Sequence, residues 1–307
     1  MYMKNQFLKR LIVLFGLVLF VECNKENNTS PIVLLQNQSQ QKATNATMPK
    51  ADHIVIVIEE NHGYSQINGS SSAPYINSLA KDSFSVKFTN SYAITYGSQR
   101  DYLDLYSGSD QGASGGSHPA NEPFTTANLG RQLIDAGKSY STYSQGLPYT
   151  GYNSDSSGAY VRRHNPAANW MGKGTNQIPS STNQPFTAFP SDFTKLPTVS
   201  FVIPNLNRDM HDGTIKEGDT WLKNNLNRYI QWAKMHNSLF ILTFDESDLL
   251  NHNNNHIFTI FCGQMIKRGI DTTQINHYNV LRTIEDIYGL PYAGNAANVK
   301  TITHCWK

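Results

Sequence analysis

Residues 53–58 (HIVIVI) run without a polar interruption apart from the first, and the polar triplet Glu59, Glu60, Asn61 follows at once. An apolar run with no alternation predicts a strand buried on both faces, as in a parallel sheet covered by helices. Residues 199–203, 239–244 and 257–262 repeat the pattern, and the first two end at Pro204-Asn205 and at Asp245-Glu246. Between these runs the period becomes helical. Trp221, Leu222, Leu226, Tyr229, Ile230 and Ala233 form an apolar stripe within 219–236. Residues 129–136 close at Gly137, residues 278–288 close at Gly289-Leu290-Pro291, and 102–106 read as a helical turn opened by Ser98. This alternation predicts an α/β fold, a mostly parallel central sheet with helices on both faces. Segments 109–122 and 146–197 are rich in Gly, Ser, Asn and Pro and too long for plain connectors, which predicts that they form the rim of a site.

The first residues have a different character. Lys4, Lys9 and Arg10 precede the apolar segment 11–21, which is short for a membrane span and fits an export signal. Cys23 follows directly, as in a bacterial lipobox, although Glu22 stands where a small residue is usual. The expected organisation is a signal peptide at 1–22, a lipidated Cys23 with a flexible tether at 23–50, and one catalytic domain at 51–307. The expected location is the periplasm or cell envelope, with a lipid anchor to the membrane. A signal peptide cut nearby, or an uncleaved anchor, is the alternative. Export permits a disulfide between Cys262 and Cys305; two unpaired thiols are the other possibility. The net charge is +2 in 307 residues, and the basic residues are scattered apart from Arg162-Arg163-His164. That balance excludes an electrostatic nucleic-acid binder. Nothing in the pattern fixes an oligomeric state.

Candidate chemistry gathers where strands end, the place where open α/β sheets bind ligands. Glu60-Asn61 and Asp245-Glu246 follow two apolar strands, and their mixed carboxylate and amide oxygens suit Mg²⁺, Ca²⁺ or Mn²⁺, or Zn²⁺ if a histidine joins. Either pair alone also reads as surface acids and caps. Ser98 opens a helix, whose N-terminus binds anions. A metal at its hydroxyl would make it a nucleophile, whereas a plain N-cap is the simpler reading of the serine alone. Asp209, His211 and Asp212 form a third cluster, in which His211 can protonate a leaving alcohol or bind metal. Asp219 reads as the cap of the following helix. His256 can complete a metal site. Arg163-His164-Asn165-Pro166 is a basic turn able to hold phosphate oxygens, or a solvated loop.

The segments HIVIVIEENHGY (53–64), ITYGSQRDYLDLYSG (94–108), RRHNPAANW (162–170), LPTVSFVIPNLNRDMHDG (196–213), ILTFDES (241–247) and HYNVLRTIEDIYGLPYAGNAANVK (277–300) occur in an informative order. Together they resemble the bacterial phosphoesterase family of secreted acid phosphatases and phosphatidylinositol-type phospholipases C, within the alkaline phosphatase-like superfamily. The resemblance implies that Glu60, Asn61, Asp245 and Glu246 bind metal with Ser98 as the metal-bound nucleophile. It implies that His256 sits at a further metal position, that Asp209, His211 and Asp212 match an Asp-x-His-Asp stretch, and that Arg163, His164 and Asn165 face the phosphate. The family's nucleophile turn usually has prolines and an Asn three residues after the serine; here Gly97, Arg100 and Asp101 occupy that turn. An ionised carboxylate repels a phosphate, so Asp101 must be protonated, turned away, paired with Arg100 or bound to metal; the expectation is that it penalises a dianion and favours acidic pH or monoanionic substrates. The expected activity is an acid phosphatase acting on phosphate monoesters through a phosphoseryl intermediate, with His211 or His164 as the acid. The alternatives are a phospholipase C-type phosphodiesterase and a surface-binding lipoprotein without catalysis.

Overall fold

The computed structural model describes residues 48–248 and 254–307. The predicted signal peptide, the Cys23 lipidation site and all but the end of the tether lie outside the described residues. The elements in chain order are β1 (His53–Glu59), α1 (Tyr64–Ile67), α2 (Pro74–Leu79), β2 (Ser85–Tyr92), α3 (Ser98–Ser107) and α4 (Leu129–Asp135). There follow β3 (Tyr140–Ser144), β4 (Ser156–Ser157), β5 (Tyr160–Val161), β6 (Asn183–Pro185), β7 (Val199–Ile203) and α5 (Ile215–Ala233). The chain ends with β8 (Ser238–Phe244), β9 (His256–Gly263), β10 (Gly269–Asp271), β11 (Ile275–Asn276) and α6 (His277–Tyr288).

Alternation of side chains along β1 sets the layers. Ile54, Ile56 and Ile58 enter one core with Leu103, Leu129, Leu133, Val280 and Ile284 from α3, α4 and α6. Val55 and Val57 enter the other with Ile76 from α2 and Leu222, Leu226 and Ile230 from α5. Helices on both faces explain why β1 carries no polar residue between His53 and Glu59; each buried aliphatic side chain contributes roughly 1.5–3 kcal/mol. The sheet order is β10-β2-β9-β8-β1-β7-β3-β6, with β11 also paired to β2. Strand β1 pairs in parallel with β7 and β8, and β3 in parallel with β7 and β6.

The sheet is mostly parallel, as the alternation predicts, with one exception. Strand β9 runs antiparallel to both β8 and β2. A parallel return needs a crossover of about a dozen residues or more, usually a helix; the 245–255 connection brings β9 back beside β8 instead. The helix predicted at 219–236 begins earlier, at Ile215, because Thr214 caps it in a box with Glu217. Asp219 therefore sits inside α5, where its carboxylate accepts Tyr75 N–H at 3.1 Å and Ile76 N–H at 2.8 Å at the start of α2. Cys262 and Cys305 are both free and buried, in core clusters on opposite faces of the sheet, so they form no disulfide.

Candidate active site

Strands β1, β2, β7 and β8 all end on one side of the sheet, and their following turns supply the site. Glu59 closes β1, and Asn61 then takes φ 52°, a left-handed conformation that Asn tolerates better than most residues. That turn aims Asn61 N–H at Asp245 Oδ1, 2.8 Å away beyond β8. Gly97, at φ 149°, precedes α3 and donates its N–H to Glu246 Oε2 at 2.6 Å. A side chain at Gly97 would both strain the turn and meet Arg100 Nε at 3.2 Å. At the other end of α3, Gly108 has φ 69° and a Cβ there would lie 2.1 Å from Ala293 O, so glycine fixes the helix at both ends.

These turns converge on the Ser98 hydroxyl. Its Oγ lies 2.8 Å from Glu60 Oε2, 3.3 Å from Glu246 Oε1 and 3.5 Å from Asn61 Oδ1. One hydroxyl proton serves only one acceptor at a time. Oxygens crowded around a single donor, with Asp245 Oδ2 buried and without a hydrogen-bond partner, fit a hard divalent cation. The electrostatics agree. Burial pushes the Glu60 and Asp245 carboxyls upward, Glu60 further through Asp209 and Asp245 further through Glu60 and Glu246. Burial, then the charge of Asp101, pushes Glu246 from 4.5 to about 7. A cation would reverse this mutual repulsion.

A second group adjoins the first. His164 Nδ1 is 3.3 Å from Glu60 Oε1 and 3.2 Å from Asp209 Oδ2, and the ring stacks on Tyr102 at 5.3 Å between centroids. Burial first, then the charges of Arg163 and His211, hold the imidazole well below its usual pKa, hence neutral. Glu60, His164 and Asp209 present ligand atoms within 4.8 Å of one another, a set able to hold a metal ion. Met210 has φ 79°, a conformation costing on the order of 1–3 kcal/mol. It lets His211 N–H return to Asp209 Oδ1 at 2.8 Å. The His211 ring is partly exposed at the mouth, 5.8 Å from His164 between centroids, with Nδ1 2.8 Å from Asp212 Oδ1. Arg163 is half-buried beside this group and acts on Asp209 and His164 through its charge. Its neighbour Arg162 is fully buried and bonded to Glu122, Asn169 and backbone carbonyls.

The structure therefore brings together Glu60, Asn61, Ser98, Asp245 and Glu246, with Asp209, His164 and His211 alongside. Three expected site residues point elsewhere. His256 bonds Thr89 O through Nε2 at 3.0 Å, and its ring lies between Tyr64 and Tyr92. The antiparallel start of β9 carries it to β2 rather than to the carboxylates. Asn165 is fully buried and donates to Asn183 Oδ1 at 2.8 Å and Ser144 Oγ at 3.3 Å, beneath the loops at β3 and β6 rather than toward a substrate. Asp101 is turned into the protein. It accepts Ile94 N–H and Thr95 N–H at 3.0 Å and Thr95 Oγ1–H at 2.8 Å, fastening the turn that carries Ser98. The helix points residue 101 away from the phosphate side, so the expected repulsion of a dianion has no geometric basis. Tyr102 stacks on His164, His277 bonds the Asp245 carbonyl, and Asn255 bridges the two flanking turns through Ser247 and Thr95; none of the three was expected at the site.

Comparison with known proteins gives concordant results. The profile of the Phosphoesterase family matches residues 70–291. The chain is 41% identical over 263 residues to a phosphatidylinositol-3-phosphatase of Mycobacterium tuberculosis, covering 85% of each chain. It is 30% identical over 257 residues to a probable acid phosphatase of Kluyveromyces lactis, covering 78% of this chain and 58% of that relative. A structure of a protein in the alkaline phosphatase superfamily from Vibrio parahaemolyticus shares the fold, with a TM-score of 0.55 at 13% identity over 84% of this chain and 75% of that one.

Proposed function

The chain belongs to the Phosphoesterase family and is a hydrolase of phosphate esters, and from that premise we propose an exported, metal-dependent acid phosphatase that hydrolyses monoesters through a phosphoseryl intermediate on Ser98. The observation that carries this reading is the ring of Glu60, Asn61 and Glu246 oxygens around Ser98 Oγ at the start of α3. Glu60, Asn61, Ser98, Asp245 and Glu246 would hold the ion, Mg²⁺, Ca²⁺ or Mn²⁺ by their oxygen chemistry, or Zn²⁺ with His164 and Asp209 adjoining. A divalent cation held there supplies Lewis acidity and lowers the pKa of the Ser98 hydroxyl.

The chain's own residues account for the remaining work. The first N–H groups of α3 and the charge of Arg163 receive phosphate oxygens. Ser98 Oγ lies 2.8 Å from Glu60 Oε2, which would take the hydroxyl proton as Oγ forms its bond to phosphorus and the bond to the leaving alcohol breaks. His211, partly exposed at the mouth, gives a proton to that alcohol. Water then attacks the phosphoserine, releasing phosphate and restoring Ser98. Two relatives named as phosphatases favour monoesters over the diesters of a phospholipase C. Segment 1–23 supports export and a lipid anchor at Cys23, in the periplasm or envelope. The test is hydrolysis of p-nitrophenyl phosphate and of bis-p-nitrophenyl phosphate by metal-stripped and reconstituted enzyme. Monoester turnover that requires both a divalent ion and Ser98 is expected. Preferential diester turnover would move the assignment to the phospholipase branch.

A further inference from the structure

His277 opens α6 and is fully buried, with Nε2 2.7 Å from the backbone carbonyl of Asp245. A carbonyl only accepts, so this bond places the ring proton on Nε2. Asp245 is the residue whose side chain receives Asn61 N–H and which precedes Glu246 in the carboxylate cluster. The next residue of α6, Tyr278, donates its hydroxyl to Asp104 Oδ1 at 2.8 Å, and Asp104 lies on α3. The first turn of α6 is thus tied on one side to the turn bearing the carboxylates and on the other to the helix bearing Ser98. His277 Nε2 also lies 3.8 Å from Asp101 Oδ1, the carboxylate that fastens the Ser98 turn. Asn255 supplies a separate tether between the same two turns, accepting Ser247 N–H at 2.8 Å through Oδ1 and donating Nδ2–H to the Thr95 carbonyl.

We infer that His277 is a positioning residue, which sets Asp245 and Glu246 at the distance from Ser98 that cation binding and attack require. The inference rests on the metal-dependent reading above. It requires the Nε2–H donor rather than the bulk of the ring. Residues that orient metal ligands from behind typically contribute about 10–100-fold in metal affinity, and a displacement of about 1 Å in a reacting group can cost 10²-fold in rate.

The experiment compares wild type with His277→Gln, which carries an N–H at a similar reach, and with His277→Leu and His277→Asn, which remove or shorten it. Each protein is stripped and titrated calorimetrically with the divalent ion that restores wild-type turnover, and thermal unfolding is recorded beside it. The expected result is metal Kd weakened roughly 10–100-fold with a lower kcat in the Leu and Asn variants, and values within about threefold of wild type in the Gln variant. If His277→Leu does not fold, the Asn and Gln pair decides the matter. Wild-type Kd and kcat in a folded Leu or Asn variant, or a Gln variant as impaired as the Asn variant, would overturn the inference. Wild type that neither binds an ion nor needs one for turnover would overturn the metal reading itself, a distinct result.

Discussion

Replacing Asp101 with asparagine isolates the ionisation of one buried carboxyl at the base of the Ser98 turn. The asparagine can keep its oxygen on the two amides that Asp101 now accepts, Ile94 N–H and Thr95 N–H at 3.0 Å. Its NH₂ then faces Thr95 Oγ1, now 2.8 Å from Oδ2, and a hydroxyl oxygen accepts as readily as it donates. The number of hydrogen bonds is preserved, so near pH 4 the variant is within about 1 kcal/mol of wild type. The difference lies at higher pH. Burial raises Asp101 from 3.8 to about 7, with the Thr95 and Ile94 donors and Arg100 only partly offsetting it. A carboxyl with a higher pKa in the folded protein binds more protons folded than unfolded. Its contribution is complete below the unfolded pKa and is lost as pH rises through the folded one. From 3.8 to about 7 this corresponds to on the order of 4 kcal/mol. Asparagine has no such dependence, so the variant gains on wild type by up to that amount between pH 4 and 8. Urea unfolding of the metal-stripped proteins across that range measures it. A constant separation between the two curves would refute the reasoning. The ranking of monoester substrates should not move, because the carboxyl faces the turn and not the phosphate.

Ser98→Ala should leave the fold intact and lower monoester turnover by roughly three orders of magnitude or more, checked by single-turnover kinetics on reconstituted protein. Arg162→Met should destabilise by about 3 kcal/mol in urea, because Glu122 keeps only His118 as a partner and the Ser117 and Ala168 carbonyls lose the buried N–H groups they now receive. Burial raises the Glu60, Asp245 and Glu246 carboxyls, so the metal-free protein should lose stability as pH rises through 7. A saturating divalent ion should flatten that loss, and melting temperatures with and without the ion at pH 5 and 8 report it.

The sequence was most readable where burial is complete. Strand β1 is apolar from Ile54 to Ile58 because both its faces are covered, and the polar residues from Glu59 onward stand out for that reason. The same contrast marks Asp245-Glu246 after β8. Strand β2 lacked it: Val86 and Phe88 face a core while Lys87 is less buried, and a register shift falls between Phe88 and Ser91. His256 was misplaced because a run of apolar residues does not encode strand direction, and the antiparallel course of β9 decides where its first residue lies. Arg162 and Arg163 are alike in sequence, yet one is spent on the loops and the other borders the site. Asp101 stands where the family resemblance implies an amide facing the phosphate; of the ways a carboxylate fits there, its rotation about α3 realises the one in which it turns away, to hold the Ser98 turn. His277 has no local signal at all, since its role depends on a carbonyl contributed from another strand end.

The central claim is that Ser98 carries the phosphoryl group. Reconstituted enzyme would be mixed with a phosphate monoester, quenched in acid within milliseconds to seconds, digested and analysed by peptide mass spectrometry. The account predicts a phosphate on Ser98 that appears only with the divalent ion, is absent from Ser98→Ala, and forms as fast as the alcohol is released. Full turnover by Ser98→Ala, or a phosphoryl group on another residue, would contradict it.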